Sequence, residues 1–228
     1  MISSTRMYNQ KDQKKYLGLD IGSVSVKAVV VSDSKDVIET HYVRSHGQPI
    51  ETVLIVLKDI LNRIPVEDIN GVAVTGSGGK LLAGIMGISF INEVVAQSTA
   101  TSVLHPEVKT IIEIGGEDSK LIMLERDESS GKTNGNNGAG LKVSDFSMNT
   151  MCAAGTGSFL DQQSTRIGVS IEEEFGKLAL KSKNPPRIAG RCSVFAKSDM
   201  IHLQQVGTEI HDIVSGLCYA LTRNFKSN

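Results

Sequence analysis

Hydrophobic positions along this chain first alternate, then recur every three to four residues, then alternate again. Residues 1–15 are polar and charged and are expected to be a frayed tail. From Tyr16 the run YLGLDIG ends in Asp and Gly, and VSVKAVVVSD follows with β-branched residues at alternate positions. That pattern predicts two strands joined by a turn at Gly22-Ser23. A third strand is expected near Val37–Val43. In PIETVLIVLKDILNRI the residues Val53, Leu54, Leu57, Ile60, Leu61 and Ile64 have helical spacing. GVAVTG then reads as a short buried strand that runs into a Gly-rich loop, SGGK, and residues 93–103 read as helix.

KTIIEIGGEDSKLIMLERD repeats the opening pattern. LGLDIGSVSVKAVVV and IIEIGGEDSKLIMLE share one layout: an apolar strand, a Gly turn with an Asp and a hydroxyl nearby, and a second strand. Two hairpins of one kind predict two related α/β subdomains. The boundary is expected near residue 105, where His105-Pro106 interrupts the helix, which gives subdomain I at 16–104 and subdomain II at 105–228. ESSGKTNGNNGAG, residues 128–140, is expected to be a flexible hairpin insertion. Helices are expected near 156–167 and 171–182 and again towards the end, where Ile210, Ile213, Val214, Leu217 and Leu221 form an amphipathic pattern.

Composition narrows the function classes. A chain of 228 residues has room for about one or two domains. Lys plus Arg number 24 against 25 Asp plus Glu, so the bulk charge that drives nonspecific binding to nucleic acid or anionic membrane is missing. No stretch approaches the roughly 18–20 apolar residues of a membrane span, and the N-terminal residues have no apolar region of the secretory type. Three cysteines do not make a disulfide framework. The expectation is a soluble cytoplasmic protein with neither nucleic acid nor membrane as partner.

The two hairpins carry the first candidate chemistry. In Asp20-Ile-Gly22-Ser23-Val-Ser25-Val-Lys27, a glycine turn lets backbone amides approach a phosphate closely. Ser23 and Ser25 can donate to phosphate oxygens, Asp20 can hold Mg²⁺ directly or through water, and Lys27 adds a point charge. Ile114-Gly115-Gly116-Glu117-Asp118-Ser119-Lys120 offers the same groups again. Such a pair can clamp a triphosphate and its metal, with the carboxylates positioning Mg²⁺ and an attacking water. Ser130-Gly131-Lys132-Thr133 is not a P-loop: the first glycine of that motif would fall at position 126, which is Arg126, and no strand–loop–helix context surrounds it.

The cysteines carry the second. Cys152, in MCAAGTGSFL, precedes an expected helix N-terminus, whose dipole and free amides favour a thiolate. Cys192 lies in a Gly-Arg-Cys turn beside Arg191. Cys218, in GLCYAL, fits a small residue of a helix core. Two reactive thiols can form a redox pair, ligate zinc, or supply half of an iron–sulfur site. In the last case a two-fold dimer would provide the four thiolates that such a site needs. The glycines of Gly155-Thr156-Gly157 can also form a loop on the nucleotide side.

LGLDIGSVSVKAVV, VTGSGG, IIEIGGEDSK, DFSMNTMCAAGTGSFLD and GRCSVFAKSDMIHL together resemble the ATP-dependent activators of 2-hydroxyacyl-CoA dehydratases. That family includes the ATPase subunits of benzoyl-CoA reductase. The resemblance covers roughly residues 16–225. It implies the α/β fold of the acetate kinase, sugar kinase, Hsp70 and actin superfamily, with two ribonuclease-H-like subdomains. It implies a homodimer with one [4Fe–4S] cluster ligated by Cys152 and Cys192 of each subunit. It also implies that ATP hydrolysis to ADP, with Mg²⁺, drives a low-potential electron into a dehydratase or reductase component, separate or fused in the same polypeptide. An upstream ferredoxin- or flavodoxin-like protein would supply that electron. The matched phosphate-hairpin positions are Asp20 and Asp118, as the catalytic carboxylates, with Gly22, Ser23, Gly115, Gly116 and Ser119. Lys27, Gly76, Gly155, Thr156 and Gly157 complete the candidate nucleotide set.

The chain departs from the family pattern at three places. Glu117 stands where members often have Gln, and Lys197 where many carry an acid, as in large multidomain relatives that fuse activator-like and dehydratase-like parts. The family continues with a strand, a Gly–Gly loop and a final strand and helix after the position of Asn228, so an N-terminal piece of a longer protein is expected, with the second subdomain incomplete at its C-terminal end. Two other readings use the same residues. A small-molecule or sugar kinase of the superfamily would share the hairpins but leave the cysteine motifs without a task. A non-catalytic module for cluster binding or dimerisation would use the cysteines and leave Asp20 and Asp118 without one.

Overall fold

A computed structural model describes residues 13–126, 141–149 and 155–227. The chain forms two compact units that divide between Ala96 and Gln97.

In the first unit, β1 (Lys15–Ile21), β2 (Ser25–Ser32) and β3 (Val37–Arg44) are joined as an antiparallel meander. β4 (Ile69–Thr75) then pairs parallel to β1, and the two-residue β5 (Ser89–Phe90) pairs parallel to β4, so the sheet order is β3-β2-β1-β4-β5. Parallel pairing requires a crossover, and α1 (Pro49–Leu61) supplies it. The alternation predicted for β1 and β2 has its physical basis here. Leu17, Leu19 and Ile21 bury on one face with Val26, Ala28 and Val30, against Val53, Val56 and Ile60 of α1. Each of the buried Leu, Ile and Val side chains contributes about 1.5–3 kcal/mol. α2 (Gly79–Met86) begins directly after the Gly-rich loop and buries Leu82 and Ala83 in the same core. The sequence pattern signalled only the loop there, because GSGGK masks the start of a helix that is only eight residues long. α3 (Glu93–Leu104), which matches the expected helix, contains the Ala96–Gln97 division.

The second unit opens with β6 (Thr110–Ile114), β7 (Ser119–Arg126) and β8 (Leu141–Asn149), again an antiparallel meander, in the order β6-β7-β8. The β6-β7 hairpin repeats β1-β2, as the internal repeat predicted, and β8 joins it as β3 joins the first. β7 and β8 bracket the segment expected to be a hairpin insertion; that segment and the rejected Ser130–Thr133 motif lie outside the described residues. α4 (Gly157–Ile167) follows. The helix expected at 171–182 is a π-helical turn, Ile171–Phe175, continued by a short α5 (Gly176–Ala179). Ser170 explains the start: its side chain accepts the Glu173 N–H, while Glu174 accepts the N–H of Ser170. α6 (Ser193–Gln205) and α7 (Ile210–Lys226) follow in the same unit. Its core is largely helical, with Phe159, Ala196, Met200, Ile213, Val214 and Leu217 buried together. Among the described residues no helix is long and apolar enough to cross a membrane.

Candidate functional site

Strand pairing brings the first hairpin's polar groups to one end of the sheet. Asp20 is in register with Lys27 on β2 and with Thr75 on β4. Lys27 Nζ donates to Asp20 Oδ2 at 3.0 Å, and both side chains remain about two-fifths exposed. The turn is closed by the Gly22 N–H donating to the Ser25 carbonyl at 3.0 Å. Ser45, just after β3, fixes it from outside: its Oγ donates to the Ser23 carbonyl at 3.0 Å and its N–H to the Val24 carbonyl at 2.9 Å. The Gly-rich loop after β4 folds onto the same strand end, where the Gly78 N–H donates to the Ile21 carbonyl at 2.9 Å. Gly76 has φ +92, and a Cβ there would stand 2.5 Å from the Ile21 carbonyl oxygen and 2.6 Å from Asp20 Oδ1. Only glycine tolerates both the dihedral and the approach. Asp20, Gly22, Ser23, Lys27 and Gly76 therefore gather in one unit, joined by Thr75, whose buried Oγ1 has no hydrogen-bond partner among the described residues.

The second hairpin has the same closure, with the Gly115 N–H donating to the Asp118 carbonyl at 2.9 Å. Its register is more informative than its sequence. Glu113 pairs with Lys120 as Asp20 pairs with Lys27, so the residue in Asp20's place is Glu113, and Asp118 stands in the turn at the place of Ser25. The signal was present: aligning Asp20-Ile-Gly22 with Glu113-Ile-Gly115 puts the two acids in one column. Lys120 Nζ donates to Glu113 Oε2 at 2.8 Å and to Asp118 Oδ1 at 2.7 Å. α4 meets this turn end-on: the Gly157 N–H donates to the Gly115 carbonyl at 2.7 Å and the Ser158 N–H to the Gly116 carbonyl at 3.3 Å. Thr156, the residue before α4, is fully buried. Gly115, Gly116, Asp118, Ser119, Gly155, Thr156 and Gly157 are thus neighbours within the second unit.

Of the cysteines, Cys192 is the residue that caps the N-terminus of α6, partly exposed and not in a disulfide. Its sulfur stands at the start of a 13-residue helix, where it can be reached. Cys152 lies outside the described residues. Cys218 packs at the edge of the helical core in α7, and burial pushes its thiol above the ordinary value, as befits an inert packing residue. The backbone around Cys192 is held by α7: Asn224 Nδ2 donates to the Gly190 carbonyl at 2.6 Å, and its Oδ1 accepts from Asn149 Nδ2, at the end of β8, at 2.9 Å. No local pattern signals this pair of asparagines, which lie 75 residues apart. As for absent groups, a carboxylate such as Asp20 in the first unit or Asp118 in the second is of the donor type that suits Mg²⁺, and the Cys192 thiol is of the type that suits an iron–sulfur cluster.

The model of the BadF/BadG/BcrA/BcrD ATPase family matches residues 17–227. The chain belongs to that family. It is an ATPase with the actin-like fold. The 2-hydroxyisocaproyl-CoA dehydratase activator of Clostridioides difficile is 32% identical over 213 residues, covering 92% of this chain and 74% of the relative. The activator of the 2-hydroxyisocaproyl-CoA dehydratase from Clostridium difficile, solved with ADPNP bound, superposes with a TM-score of 0.78 at 32% identity, covering 93% of this chain and 74% of that one. Component A of the Acidaminococcus fermentans (R)-2-hydroxyglutaryl-CoA dehydratase gives a TM-score of 0.79 at 29% identity, covering 93% and 77%.

Proposed function

We propose that this ATPase is the activator of a dehydratase- or reductase-type partner and that it delivers a low-potential electron at the expense of ATP. Family membership over residues 17–227 carries the reading, since the cysteine motifs of Cys152 and Cys192 fall inside the matched span. Relatives named as activators of 2-hydroxyacyl-CoA dehydratases support it.

In this reading the chain's own residues divide the work. The glycine turns at Gly22 and at Gly115-Gly116 present backbone amides to phosphate oxygens, with Ser23 and Ser119 adding hydroxyl donors. Lys27, half-exposed beside Asp20, exchanges its carboxylate partner for a phosphate oxygen when nucleotide arrives. Asp20 in the first unit and Asp118 in the second would each offer a carboxylate to hydrated Mg²⁺ and to the attacking water. Gly76 and Gly157 let the backbone pack directly onto the two phosphate turns, at Ile21 and at Gly115, and so set the shape of those turns. Cys152 and Cys192 of two subunits hold a [4Fe–4S] cluster, which supplies one-electron chemistry when bound. The electron comes from a ferredoxin- or flavodoxin-like donor.

Anaerobic reconstitution with iron and sulfide tests the reading on wild type, Cys152→Ser and Cys192→Ser. It predicts about four irons per dimer, lost in either variant. A folded dimer that takes up no iron removes the electron-transfer role from this chain.

A further inference from the structure

Lys120 is 3% exposed, and no other charged residue among the described ones is buried as deeply. An ammonium at that depth is retained only with counter-charges in contact. Among the described residues Glu113 and Asp118 both meet it, and they come from different places: Glu113 from the opposite strand, in register, and Asp118 from the turn. Lys27 occupies the equivalent position in the first hairpin, yet its side chain is 41% exposed and it meets one carboxylate, that of Asp20. Two lysines in one register therefore differ in what they can do. Lys27 has room to leave its partner. Lys120 is enclosed and spans two.

The turn is shaped around this arrangement. Glu113 and Asp118 bring carboxylate oxygens within 4.8 Å of each other. A Cβ at Gly115 would stand 2.9 Å from Glu113 Oε1 and 3.1 Å from Asp118 Oδ1, so the bare glycine is what lets both acids lean over the turn. Each gives Lys120 one oxygen, Oε2 from Glu113 and Oδ1 from Asp118. Without a cation between them, two carboxylates this close repel and swing apart.

We propose that Lys120 is a positioning residue of the ATPase site: its ammonium holds Glu113 and Asp118 side by side, so that the turn presents Asp118 in one orientation. The inference rests on the reading of Asp118 as a catalytic carboxylate. Lys120 contacts no phosphate; it acts through the charge that it cancels. Removing the charge of Glu113 should therefore repair the loss of Lys120, whereas a lysine that merely filled space would not be replaced in this way.

The test is a four-way cycle on the full chain: wild type, Lys120→Met, Glu113→Gln and the double variant. Each is measured for kcat and KM of ATP hydrolysis, for ADPNP affinity by calorimetry with Mg²⁺, and for thermal midpoint. In Lys120→Met, kcat falls about 10- to 100-fold while ADPNP affinity stays within about threefold, and the midpoint drops. The double variant regains about tenfold in kcat and most of the midpoint. A folded double variant as impaired as Lys120→Met overturns the proposal, as does a Lys120→Met protein that turns over at the wild-type rate. If Lys120→Met does not fold, the double variant decides alone: folded and active supports the proposal, unfolded overturns it. Asp118→Asn separates this inference from the site reading. Full activity in that variant dismisses the site, whereas loss there with an unaffected Lys120→Met dismisses only the part given to Lys120.

Discussion

Asn149, the last residue of β8, donates its side-chain N–H to Asn224 Oδ1 of α7 at 2.9 Å, and both residues are buried. The same Asn224 donates to the carbonyl of Gly190, two residues before Cys192. One side chain thus joins the end of the second sheet to the cysteine-bearing segment. Asn149 is in turn in register with Ser119 of the second hairpin. The packing leaves no spare volume: a Cβ at Gly155 would stand 2.3 Å from Asn224 Oδ1 and 2.5 Å from Asn149 Nδ2.

Asn224→Leu strips a partner from the buried amide of Asn149 and from the Gly190 carbonyl. Loss of a buried partner costs about 1–3 kcal/mol, and stability measured by urea unfolding should fall by about that much. Gly155→Ala should destabilise on its own by forcing the asparagines apart. Combined with Asn224→Ala it should cost less than the sum, because one of the obstructing side chains has gone. Strict additivity would show that the two positions do not share this contact.

Gly76 and Gly84 make a paired test of backbone constraint. Gly84, inside α2, has nothing within 4 Å of an added Cβ, so Gly84→Ala should be neutral or stabilise by about 0.5–1 kcal/mol. Gly76→Ala must push Asp20 and Ile21 away and strain a left-handed φ. ATP hydrolysis should fall about tenfold or more in that variant and stay at the wild-type rate in Gly84→Ala. Equal rates in the two variants would separate Gly76 from the nucleotide site.

Much of this arrangement is legible in the chain, and the reason is local. Alternating apolar residues around a Gly turn specify a hairpin wherever they occur, so both hairpins and their likeness can be read from Asp20–Lys27 and Glu113–Lys120. What local pattern does not carry is partnership. That Lys120 faces Glu113 follows from strand register, and that Ser45 holds the Ser23 turn follows from where β3 ends. Asn149 and Asn224 are 75 residues apart and unremarkable as letters; their meeting depends on how α7 packs. The extent of α2 was hidden because glycines at a helix start look like a loop.

Away from these sites, Arg63 of the segment after α1 donates to Asp59 and to Glu39 of β3, and Glu39 Oε1 also meets His41 Nε2. Hydrogen bonds from Arg63 hold both carboxyls below their ordinary values. A carboxyl lowered by folding stabilises the protein above its unfolded pKa, and that contribution is lost as pH falls through the folded value. Arg63→Met should therefore melt below wild type at pH 7, with the gap closing as pH drops below about 4. A gap that stays constant from pH 7 to pH 3 would assign the loss to packing of the arginine stem.

The account stands most directly on ATP turnover by wild type, Asp20→Asn and Asp118→Asn, each confirmed as folded by circular dichroism. Hydrolysis by the wild-type chain, reduced about a hundredfold or more in both variants, is the predicted result. Turnover at the wild-type rate in both variants would contradict it, because neither hairpin would then carry the chemistry.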